Sequence, residues 1–128
     1  MSEAEQLRDG ALRAQLRREV VPLVGVDGGA HVGVRALSEG QIAQLRVAAE
    51  LEVRERGLAV LPAALFRALS RRVVAEALFD QAELDEPYPA PFVALDDAKF
   101  IDDGALAALF DVYSRHVAEL ARGGPRVP

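Results

Sequence analysis

A chain of 128 residues is the length of one ordinary domain and can bury a core without metal or disulfide staples. Its 51% hydrophobic content excludes global disorder, and the weight of Ala, Leu and Val over only 5% aromatics leans it towards helix. No cysteine is present, which excludes a disulfide scaffold, a thiolate metal site and a cysteine nucleophile, and which fits a cytoplasmic location.

No apolar run reaches the ~20 residues that span a bilayer, and the N-terminus shows no basic segment leading into an apolar one, so neither a membrane span nor a signal peptide is expected. Charge divides by halves. Residues 1–75 carry 11 Arg and 9 acids, while residues 76–128 carry 3 Arg, 1 Lys and 11 acids. The acidic second half repels phosphate and suits a basic protein surface, so nucleic acid is not an expected partner.

Residues 1–19 read as an N-terminal amphipathic helix. Leu7, Leu12, Leu16 and Val20 recur near helical spacing among Glu, Gln and Arg, and Gly10 weakens the first half. A single mainly helical domain with a β-hairpin is expected over 20–122. The hairpin occupies 20–37, because Asp27-Gly28-Gly29 separates two β-branched runs. Val32 and Val34 point to one face, His31, Gly33 and Arg35 to the other, and Pro22 puts the first strand at an edge.

Ser38 and Gln41 form a capping box that opens a helix over 39–55. Its inward stripe is Ile42, Leu45, Ala49 and Val53, and Gly57 supplies a left-handed stop. Pro62 opens a third helix over 63–79, with Leu65, Phe66, Leu69, Val73 and Ala77 facing inward. Residues 81–101 are acidic and broken by Pro87, Pro89 and Pro91. Phe92, Val93, Leu95, Phe100 and Ile101 are expected to pin this stretch to the core, with a short helix near Asp97. A last helix over 104–121 carries Leu106, Leu109, Phe110, Tyr113, Val117 and Leu120, leaving His116 on its polar side and 123–128 as a flexible tail. The fold class is α+β, predominantly α, with about four helices and one N-terminal β-hairpin.

Nothing in the chain points to catalysis. Asp96-Asp97 and Asp102-Asp103 lack the alternating oxygen ligands and closing Glu of a calcium loop, and both read as helix caps. Gly25 to Gly29 matches no phosphate-binding pattern. His31 and His116 lack compact ligand spacing for zinc, and Ser70 and Ser114 lack an elbow motif. Arg13, Arg17, Arg18, Arg71 and Arg72 are interleaved with acids and have no aromatic stacking platform. A non-enzymatic protein without metal or cofactor is expected.

Three stretches carry a family resemblance. Val32-Gly33-Val34-Arg35-Ala36-Leu37-Ser38 runs from a hairpin directly into a Gln/Arg/Glu-rich helix. A central apolar helix runs into the acidic Leu78-Phe79-Asp80 loop. Phe100-Ile101-Asp102-Asp103 leads into Leu106-Ala107-Ala108-Leu109-Phe110-Asp111-Val112-Tyr113. Together they resemble phage tail assembly chaperones, from which the N-terminal helix and the long Pro-rich loop depart. The resemblance implies a non-catalytic factor in the host cytoplasm that keeps the tape measure protein soluble and recruits tail tube protein. The alternatives are a structural phage component, such as a head–tail connector or baseplate protein, and a small regulatory or nucleic-acid-binding domain.

The expected partner-binding residues are Leu7, Leu12, Leu16, Ile42 and Leu45. They form apolar stripes beyond what one small core hides, and a client helix in a groove is the economical cover. Self-association into a homo-oligomer is left open.

Overall fold

The computed structural model of the chain describes residues 2–3, 18–23, 30–57 and 61–122. The stripe Leu7, Leu12 and Leu16, the turn Asp27-Gly28-Gly29 and the tail 123–128 lie outside these residues.

Strands β1 (Arg18–Pro22) and β2 (His31–Arg35) pair antiparallel, with Arg18 opposite Arg35 and Pro22 opposite His31. The Leu23 N–H donates to the Ala30 carbonyl at 2.8 Å, continuing the ladder towards the turn. Because Arg18 to Val20 already belong to a strand, the helix expected over 1–19 cannot run its full length. Pro22 sits on an edge strand, as its missing N–H requires.

Helix α1 spans Glu39–Glu55, between the two signals that predict it. The Ser38 hydroxyl accepts from the Gln41 N–H at 3.1 Å, and the Gln41 side chain accepts from the Ser38 N–H at 2.8 Å. Gly57 follows at φ 72°, where a Cβ would be strained.

Helix α2 spans Pro62–Ala77, with proline in its first turn. It stops two residues short of the expected 79. Leu78 adopts extended backbone, and Leu78–Phe79 form a strand, β3, on the far side of β2, with Val34 opposite Leu78 and Gly33 opposite Phe79. The ladder satisfies the backbone that a last helical turn would otherwise use, and both side chains are fully buried. The sheet order is therefore β1-β2-β3. On one face Val32 and Val34 are wholly buried. On the other, the Phe79 ring lies across Gly33, where any Cβ would overlap it.

The Pro-rich stretch is a closed loop. Asp80 accepts from the Ala82 N–H and opens a 3₁₀ turn at Gln81–Glu83. Glu83 accepts from the Ala90 N–H at 2.9 Å, and the Asp80 N–H donates to the Ala90 carbonyl at 3.0 Å. Arg18 holds the outer limb by donating to the carbonyls of Leu84 at 3.2 Å and Glu86 at 2.6 Å. Its guanidinium lies 5.7 Å from the Phe79 ring centroid. Burial lowers the Arg18 pKa below its ordinary value, Arg35 adds to this and Asp85 opposes it, yet the group stays charged at neutral pH.

A short helix near Asp97 is present as α3 (Leu95–Ala98). Val93 and Ile101 pack on the core as expected, but Phe100 is 89% exposed and Phe92 is 38% exposed. Nor do Asp96 and Asp97 cap α3; the N-cap is Ala94, and Asp96 instead pairs with Lys99 at 3.6 Å.

Helix α4 spans Asp103–Ala121, and Asp102 caps it by accepting from the Ala105 N–H at 2.7 Å. Its buried positions are Leu106, Leu109, Tyr113 and His116, at i, i+3, i+7 and i+10. The buried stripe thus passes through His116, which sequence polarity assigns outward, and leaves Val117 exposed and Phe110 half-buried.

The core joins the valine face of β2 with Leu23, Leu37, Val73, Val74, Leu106, Leu109 and Tyr113. A smaller cluster of Ala49, Val53 and Ala68 fastens α1 to α2. There Glu52 receives Arg71 at 3.5 Å and Arg72 at 3.3 Å, all three side chains mostly buried. The domain is α+β and predominantly helical. None of its described helices is long and apolar enough to cross a membrane.

Candidate functional site

Of the residues expected to bind a partner, Leu7, Leu12 and Leu16 lie outside the described residues. Ile42 and Leu45 are placed inward, half-buried against the main core, so they do not form a free apolar face. The exposed apolar residues of α1 are instead Val47 at 58% and Leu51 at 51%.

A more concave apolar surface lies between α2 and α4. Phe66 belongs to the expected inward stripe of α2, yet it is 59% exposed. Its ring meets Phe110 of α4 edge-on, with centroids 5.5 Å apart and planes at 67°, and Phe110 in turn lies 6.0 Å from Tyr113. This contacting pair lines a groove of about 480 Å³. Ala63, Leu106 and Ala107 add apolar lining. Asp103, paired with Arg67 at 3.2 Å, lines it too, as do Asp111 and Ser114 of α4.

Ser70 also lines this groove. It is 2% exposed, and its hydroxyl has no hydrogen-bond partner among the described residues. A buried unsatisfied hydroxyl costs on the order of 1–3 kcal/mol.

Sequence periodicity misses the groove because Phe66 and Phe110 both fit core stripes. The available signal is Ser70, four residues after Phe66 and on the same side of α2, where a continuous apolar stripe would have a hydrophobic residue.

A second cavity, of about 320 Å³, lies between β1 and α4. At its wall the buried His116 places Nδ1 2.6 Å from Glu19 Oε1. A carboxylate orienting an imidazole is one part of a general-base arrangement. The described residues around this cavity, Val21, Pro22, Ala108, Asp111, Val112, Arg115 and Glu119, include no Ser, Thr or Cys to act as nucleophile. What the pair does in the fold is tie the first strand to the last helix.

Among the described residues no group of three or more His, Asp or Glu is placed to hold a metal ion. Of the five arginines that a basic patch would need, Arg13 and Arg17 lie outside the described residues, Arg71 and Arg72 meet Glu52, and Arg18 holds the Pro-rich loop. No family model, curated protein or solved structure matches the chain.

Proposed function

We propose that this protein is a non-catalytic assembly chaperone of the phage tail type, acting in the host cytoplasm, and that it holds a helical segment of the tape measure protein in the groove between α2 and α4. The observation that carries the reading is the exposed Phe66 standing edge-on to Phe110 in a groove also lined by Ala63 and Ala107. An aromatic-walled trough between two helices suits the apolar face of an amphipathic helix, whose anchors recur at i, i+3, i+4 and i+7. The resemblance of residues 32–38, 78–80 and 100–113 to tail assembly chaperones supplies the client. Tail tube protein is a second partner on the same grounds. The Leu7, Leu12 and Leu16 stripe remains a second contributor to client binding.

The test is co-expression with the tape measure protein of the same genome. Phe66→Ser removes an exposed wall of the groove and leaves the core intact, so it should lower client solubility and co-purification while circular dichroism stays native. Leu12→Asp with Leu16→Asp probes the second contributor in the same way. Unchanged client recovery with Phe66→Ser contradicts the assignment of the groove. Recovery of the protein from finished particles favours a structural component over a chaperone.

A further inference from the structure

Resting on the groove reading, we infer that the occupant is a basic amphipathic helix, with an aliphatic anchor packed against the Phe66–Phe110 pair and with Lys or Arg seven or eight residues apart reaching Asp103 and Asp111.

Three features of the groove lead there. First, the apolar part is short and central. Phe66 and Phe110 touch as one aromatic pair, and the exposed, small Ala63 and Ala107 leave room for one branched aliphatic side chain to pack against it. Second, the acids sit at fixed places. Asp103 and Asp111 both line the groove from α4, eight residues apart, which is about 12 Å along a helix. Ala107 lies midway between them along α4. A client helix lying along α4 presents cations with the same separation when they are seven or eight residues apart.

Third, both acids are available for exchange. Asp103 pairs with Arg67 and Asp111 with Arg115, but these are surface pairs: the four side chains are between 53% and 75% exposed. Such pairs contribute little, and a partner's cation replaces them at little cost. The chain as a whole carries a net charge of −5, which adds attraction for a basic segment over an acidic one.

The probes are two synthetic helical peptides of about 18 residues, long enough for five turns. Both carry the same leucine stripe; one has Lys at two flanking positions eight apart, the other Glu. Binding is read by fluorescence anisotropy against the whole protein, against Asp103→Asn/Asp111→Asn, and against Phe66→Ser, each checked for native circular dichroism. The lysine peptide should bind the wild type, bind the double Asn variant about tenfold more weakly, and weaken in about 0.5 M salt. The glutamate peptide should bind at least about tenfold more weakly than the lysine peptide. If both peptides bind equally and Phe66→Ser abolishes both, the groove stands and the charge rule falls. If Phe66→Ser binds the lysine peptide as the wild type does, the groove itself is the wrong site. Absence of lysine-peptide binding up to about 1 mM overturns the inference of a basic amphipathic occupant.

Discussion

The Phe79 ring occupies the space beside Gly33 on the neighbouring strand, and the two are register partners in the sheet. The missing side chain of one residue is the space that the other fills. Gly33→Ala therefore forces a Cβ into the aromatic ring, and the ring is not free to move away, since it is 2% exposed and carries Arg18 near its face. The substitution should destabilise the fold by about 1–3 kcal/mol, the usual cost of overpacking. Urea denaturation measures it; a change below about 0.5 kcal/mol would mean that Phe79 has an alternative place to go.

The tie between Glu19 and His116 should appear as coupling. A double-mutant cycle with Glu19→Gln and His116→Ala isolates the pair from the packing lost with each side chain. An interaction free energy of about 1 kcal/mol or more is expected for a direct contact in a mostly buried setting. Additive effects within about 0.3 kcal/mol would show that β1 and α4 are held together by packing alone.

Arg18 should control the loop that follows β3 more than the fold as a whole. Arg18→Met keeps much of the apolar stem against Phe79 but removes the donors to the carbonyls of Leu84 and Glu86. Hydrogen exchange and limited proteolysis within 84–90 should accelerate, while the amides of α2 and α4 keep their protection. Uniform acceleration everywhere would instead assign Arg18 a role in global stability.

Helix α1 was legible because its ends are chemically marked. Ser38 with Gln41 fixes the start, and Gly57 permits the left-handed stop. Asp102 marks the start of α4 in the same way, although the similar Asp96-Asp97 pair does not cap α3. Strand β3 was not legible, because two residues carry no period and Leu78 and Phe79 extend a helical stripe equally well. What decides their conformation is the free edge of β2, a partner distant in sequence. His116 was misplaced because polarity says nothing of Glu19, 97 residues away. The candidate groove was hidden for a related reason. Phe66 and Phe110 have the spacing of core residues, and only tertiary packing turns Phe66 outward while leaving Phe110 at the edge.

That difference gives a paired prediction. Phe110→Ala should destabilise by about 1.5–3 kcal/mol, below the ~3–5 kcal/mol of a fully packed aromatic, because the ring is only half-buried. Phe66→Ala should cost less than about 1 kcal/mol. Equal large losses would place Phe66 in the core and remove it from any binding surface.

The most direct measurement of the groove's role is site-specific crosslinking to the client. A photoreactive benzoylphenylalanine is placed at position 66, in the groove, and in a second preparation at position 51, on the exposed face of α1. Each protein is co-expressed with the tape measure protein, irradiated, and the joined peptides are identified by mass spectrometry. Crosslinks from position 66 to one amphipathic segment of the client, with none from position 51, are the predicted result. Crosslinks from position 51 without any from position 66 would contradict the groove and move the client to the outer face of α1.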